Sequence, residues 1–183
     1  MRRIALLVLV LLTACGSPTA APPPQTASRA DDPPPPVARA ASGNAILDAH
    51  NARRAEHCAL PLAWSDALAR VAQGWADHLA QGGCRLEHSA STYGENLAAG
   101  TTGSLSPEGV VQMWYAESAE YSYPNGGFSM STGHFTQVVW TDSTALGCAV
   151  AQCNGLDIWV CNYDPPGNVE GEYATHVLPR SCR

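Results

Sequence analysis

Asn154-Gly155, set between two apolar runs, constrains this chain more than any other pair of residues. A two-residue type I′ turn needs positive φ at both central positions, and Asn followed by Gly meets that need at little cost, so the dipeptide predicts a β-hairpin. Closing the turn with Cys153 opposite Leu156 brings Cys148 opposite Cys161 further along the ladder. Counted outward from the closing pair, that position is a non-hydrogen-bonded one, where the Cα atoms lie ~4.5 Å apart. A disulfide accepts this spacing, so the register predicts a Cys148–Cys161 bond.

A disulfide needs an oxidising compartment, and the N-terminus supplies the address. Arg2 and Arg3 precede a short apolar run, Ile4 to Leu12, too short to span a bilayer. Residues 1–14 read as a signal peptide. The following Leu12-Thr13-Ala14-Cys15 resembles a bacterial lipobox, which implies a diacylated Cys15 and a membrane anchor. Gly16, rather than Asp, follows Cys15. In Gram-negative cells that points to the outer membrane, so the expected location is an outer-membrane or cell-surface lipoprotein, or the extracellular space. Residues 15–43 read as a tether that carries eight of the 14 prolines. Residues 44–183 are long enough for one domain with a real core. The chain contains no lysine, and beyond the signal 8 arginines face 16 acidic residues, a net charge of 8 − 16 = −8. So acidic a surface excludes nucleic-acid binding, which needs a basic footprint. A monomer is expected.

Three helices precede the hairpin. The first runs from about Asn44 to Cys58. The second, about Ser65 to Gln81, opens on a capping Ser65 or Asp66 and carries Leu68, Val71, Ala72, Trp75 and Leu79 as its apolar stripe. His78 reads as a boundary residue. Ser106-Pro107-Glu108 opens the third, with the serine as cap and the proline at the first helical position. Val110, Trp114 and Tyr121 form its apolar face, and Glu117 falls on that same face. A carboxylate pointing inward needs partners, and a polar cleft shared with histidine would provide them.

Gly133-His134-Phe135-Thr136-Gln137-Val138-Val139-Trp140 alternates like a strand, with His134, Thr136, Val138 and Trp140 on one face. This block, together with Cys161-Asn162-Tyr163-Asp164-Pro165-Pro166-Gly167-Asn168, resembles the paired signatures of the CAP superfamily (the SCP domain). That superfamily includes cysteine-rich secretory proteins, venom antigen-five proteins and the first class of plant pathogenesis-related proteins. His50-Asn51-Ala52-Arg53 and Gly94-Glu95-Asn96-Leu97 resemble two further blocks, and the likeness covers about residues 44–171. It implies an α+β fold, a three-layer α-β-α sandwich with a mainly antiparallel central sheet. It also implies a central cleft of two histidines and two glutamates, here His88, Glu95, Glu117 and His134. Finally, it implies a Cys84–Cys153 bond, which leaves Cys58 and Cys182 to pair.

Two imidazoles can hold zinc or another divalent cation, with Glu95 and Glu117 as ligands or supporting partners. No Gly-x-Ser-x-Gly elbow and no His-Glu-x-x-His motif occurs, and the cysteines are committed to bridges. No cleft residue is assigned a catalytic role, and catalysis is the less expected use of the cleft. The expected function is an extracytoplasmic binding module for a lipid, sterol, glycan or protein ligand. The alternatives are a metal-dependent hydrolase or protease of the cell envelope, or a purely structural or interaction domain.

Overall fold

A computed structural model describes residues 44–124 and 126–181. The signal peptide, the lipobox Cys15, the tether and Cys182 lie outside the described residues. Within them, helix α1 (Ala45–Glu56) leads to a two-residue strand β1 (Ala63–Trp64), helix α2 (Asp66–Gln81) and strand β2 (Gly94–Thr101). Helix α3 (Pro107–Ala116) runs into a 3-10 turn at Glu117–Ala119. Helix α4 (Gly133–Val139), strands β3 (Ala145–Cys153) and β4 (Leu156–Asp164) and a short helix α5 (Tyr173–His176) complete the fold.

The hairpin forms as its turn chemistry requires. Asn154 and Gly155 both take positive φ, 49° and 81°, and Cys153 pairs with Leu156. Cys148 faces Cys161 with Cα atoms 4.1 Å apart, and the two are bonded. Cys84–Cys153 is bonded as well. Cys58 is also disulfide-bonded; its expected partner lies outside the described residues. The hairpin is the middle of a four-stranded sheet of order β1-β3-β4-β2. β2 pairs with β4 antiparallel, whereas β1 pairs with β3 in parallel, so the sheet is mixed.

Strand alternation then builds a layer on each face. Ile158 and Val160 of β4 join Ala72, Ala76 and Leu79 of α2 on one side. Cys161 and Tyr163 join Ile46 and Leu47 of α1, Val110 and Trp114 of α3 and Phe135 and Val138 of α4 on the other. The sheet between two helical layers is the expected sandwich. Helix α2 lies very close to β3: a Cβ on Gly147 would stand 2.1 Å from the Ala69 backbone nitrogen. The predicted caps hold, with Leu68 N donating to Ser65 Oγ and Gly109 N to Ser106 Oγ. One member of the α2 stripe fails: Val71 is exposed, because the close contact with the sheet narrows the buried face to Leu68, Ala72, Ala76 and Leu79.

The principal correction concerns residues 133–140. Gly133–Val139 form a helix with Trp140 as its C-cap, not a strand. Seven residues are too few for periodicity to separate the two, and here residues 135–139 are buried all round. Burial of the polar ones is compensated: Thr136 Oγ1 donates to Asn168 Oδ1, and Gln137 Nε2 donates to Ser143 Oγ. The helix is also held at both ends by distant residues. Glu117 accepts from its first amides, as described below. Arg54, fully buried in α1, donates to the Val138, Trp140, Ser143 and Leu60 carbonyls at 2.7–3.1 Å. A cation at a helix C-terminus is favourable, although burial pulls the Arg54 guanidinium down to about 10. The His50-Asn51-Ala52-Arg53 block thus ends one residue short of its most consequential neighbour. Asn51 ties the following loop, exchanging two hydrogen bonds with the Leu62 backbone.

Candidate functional site

The four residues singled out from the sequence fall into two carboxylate–histidine pairs. His88, in the loop after α2, donates from Nδ1 to Glu95 Oε1 on β2 at 2.8 Å. Ser89 N donates to the same oxygen at 3.0 Å. The other glutamate oxygen, Oε2, is buried with no protein partner among the described residues. In the second pair, His134 Nδ1 donates to Glu117 Oε1 at 2.6 Å. Glu117 Oε2 accepts from the backbone N–H groups of both His134 and Phe135, each at 3.0 Å. The α4 N-cap, Thr132, makes no side-chain cap bond of its own. A carboxylate from the end of α3 therefore satisfies the orphan donors that a local cap usually takes.

Carboxylates only accept, so each Nδ1 carries a proton and each neutral imidazole keeps its lone pair on Nε2. The hydrogen bond to Glu95 raises the pKa of His88, and the same bond lowers that of Glu95 against the opposing effect of burial. His88, Glu95 and His134 line one cleft of about 130 Å³ with Asn96, Gly133, Asn168, Phe128 and Met130. Glu117 reaches this cleft only through His134. The His134 ring stacks on Trp114, with centroids 6.1 Å apart. Asn96 Nδ2 donates to the His134 carbonyl and to Tyr163 Oη, which in turn bonds His50 Nε2. Asn168 Nδ2 donates to the Gly133 carbonyl. Phe128 and Met130 are 54% and 85% exposed, an apolar lip on a polar cleft.

Sequence reasoning placed the histidines and glutamates but missed this lip and the support from Asn96 and Asn168. Both asparagines lie inside the quoted blocks, which was the available signal. Phe128 and Met130 lie in a loop with no motif. No hydroxyl or thiol among the described residues bonds either cleft imidazole: Ser89 Oγ turns to Ser91 instead. No group of three His, Cys, Asp or Glu side chains among them is arranged to enclose a metal ion.

The model of the cysteine-rich secretory protein family, CAP, matches residues 47–163. The chain belongs to the CAP family. Pathogenesis-related protein 1A of Nicotiana tabacum is 45% identical over 129 residues, covering 69% of this chain and 76% of that protein. Protein PRY2 of Saccharomyces cerevisiae is 46% identical over 139 residues, which is 73% of this chain and 40% of the yeast protein. The CAP sandwich recurs in the hookworm platelet inhibitor, with a TM-score of 0.61 and 22% identity over 74% of each chain. NaASP2, solved with Zn2+, shares it at a TM-score of 0.58 and 22% identity, covering 75% of this chain and 86% of that one. These structural likenesses establish the CAP fold. No helix among the described residues is long and apolar enough to cross a membrane.

Proposed function

We propose that this CAP protein is an exported lipoprotein, anchored through an acylated Cys15 and a proline-rich tether, whose cleft binds a ligand outside the cytoplasm. One observation carries the reading. Two imidazoles, each with Nδ1 fixed by a carboxylate, line one small cleft with an exposed apolar lip. Such a site suits a divalent cation joined by the polar end of a lipid, sterol, glycan or protein ligand, the apolar part resting on Phe128 and Met130. NaASP2, solved with Zn2+, supports zinc as the first ion to test. His88 and His134 would hold it, and the ion would supply a positive centre for an anionic or hydroxylated group. The acidic surface argues against nucleic acid as partner.

Calorimetry with zinc on the mature protein tests the cleft. Wild type should bind one ion, and His88→Ala and His134→Ala should each weaken binding at least about tenfold, as loss of one ligand does at an open site. Unchanged binding in both variants would overturn the assignment. Native mass spectrometry of protein extracted from its own membrane tests the anchor and the ligand together, by the mass of a diacyl group on Cys15 and of any retained molecule. Zinc-dependent peptide cleavage lost in Glu95→Gln would instead establish the hydrolase.

A further inference from the structure

A chain of hydrogen bonds runs from the core to the cleft wall through the buried side chains of His50, Tyr163 and Asn96. Donor and acceptor chemistry places every proton in it. His50 Nδ1 lies 2.7 Å from the Ile46 carbonyl. A carbonyl only accepts, so Nδ1 carries the ring proton. Burial holds the pKa of His50 at about 4, so at neutral pH the ring is uncharged and Nε2 accepts. Tyr163 Oη, 2.8 Å away, therefore donates to it. With its own proton spent, Tyr163 Oη accepts from Asn96 Nδ2 at 3.2 Å. The His134 carbonyl, 3.1 Å from the same nitrogen, also only accepts. The Asn96 amide is thus oriented from two sides, and both its N–H bonds are spent.

What Asn96 has left is Oδ1, which takes no donor from the described residues. Asn96 is only 1% exposed, yet this oxygen, unlike Glu95 Oε2, is not sealed from solvent. Asn96 lines the cleft, so the group it offers an occupant is an acceptor. We propose that Asn96 is a specificity-determining residue of the cleft that takes a hydroxyl of the ligand on Oδ1, with His50 and Tyr163 as positioning residues that hold the amide this way round. The hydroxyl rests on the cleft-binding reading; the proton chain does not. An amide free to turn could meet a carboxylate with its N–H as readily as a hydroxyl with its oxygen. Held as it is, it discriminates. A carboxylate would face an acceptor and bring no proton, and polar groups left unpaired in a buried site weigh heavily against the wrong ligand.

Two measurements on the metal-free mature protein test the two parts. Nitrogen NMR should find His50 protonated at Nδ1 and bare at Nε2; the opposite tautomer overturns the chain. Hexanol, its isomer methyl pentyl ether, and hexanoate are then titrated separately. Hexanol should bind at least about threefold tighter than either of the others, the size of one net hydrogen bond. Asn96→Leu should abolish that preference. Tyr163→Phe alters no residue of the cleft wall but releases the amide, so it should also bring the three affinities together. A residue that only packs would weaken all three probes alike and leave the preference standing, and that result in folded Tyr163→Phe overturns the positioning role. Equal affinities for the two isomers, or tighter binding of hexanoate, overturn the acceptor, and both are read on wild type without any variant having to fold. Should none of the probes bind, the cleft-binding reading itself fails, and the His50 tautomer still decides the chain.

Discussion

Replacing Arg54 by methionine tests the packing of α4 directly. The guanidinium donates to four carbonyls and is fully buried. Hydrogen bonds from a charged donor are each worth about 1.5–3 kcal/mol, so four of them contribute roughly 6–12 kcal/mol in gross terms. Against this stands the cost of burying the charge. Burial lowers the Arg54 pKa to about 10, which at about 1.4 kcal/mol for each factor of ten corresponds to a few kcal/mol. Methionine removes the burial cost and fills much of the volume, but leaves the Val138 and Ser143 carbonyls without a donor and the Trp140 carbonyl with the Ser143 amide alone. Allowing for water at the outermost carbonyl, Arg54→Met should destabilise the protein by about 3–5 kcal/mol, a large share of a typical total of about 5–15. Urea denaturation of the oxidised mature protein, followed by tryptophan fluorescence, measures it. A loss below about 1 kcal/mol would refute the reasoning and place Arg54 among the buried ions that apolar residues replace freely.

Three further outcomes are expected. Burial, helped by Arg54, holds His50 at about 4 against an ordinary 6.5, and burial lowers His57 too. Both are depressed, so the stability they confer is complete above about pH 6.5 and is lost as pH falls towards 4. His88 is raised and acts in the opposite sense, weakly because its ring is exposed. Denaturation midpoints should therefore fall on mild acidification, and His50→Gln should flatten the fall; an unchanged slope sinks the assignment. Gly147→Ala places a methyl 2.1 Å from the Ala69 backbone and should cost at least about 2 kcal/mol, as overpacking against backbone does; a thermal melt within a degree of wild type contradicts the close contact. Removing the Cys148–Cys161 bond by a Ser/Ala double replacement should cost about 3 kcal/mol for its short loop, read by the same denaturation.

What was legible in the sequence is what local chemistry decides. Asn154-Gly155 dictated a turn, the turn dictated a register, and the register placed Cys148 on Cys161. Ser65 and Ser106-Pro107 marked helix starts for equally local reasons. Helix α4 was misread because nothing local holds it. Its cap comes from Glu117, and its C-terminal carbonyls are bound by Arg54, each distant in sequence. The β-branched pair Val138-Val139 pointed the other way and was overruled. The cleft residues were found through family resemblance, not through spacing. Helical phase did place Glu117 inward, but it could not show that the carboxylate would be spent on backbone amides.

The sheet order has a consequence for how such a chain is made. The hairpin at its centre is encoded last, and the strands beside it, β1 and β2, come earlier in the chain. Helices α1 to α3 therefore leave the ribosome with apolar faces and no sheet to receive them. Non-local pairing of this kind delays folding until nearly the whole chain is present. The delay suits the export proposed above: a chain crossing a membrane unfolded has nothing to fold against until the β3–β4 ribbon arrives on the far side.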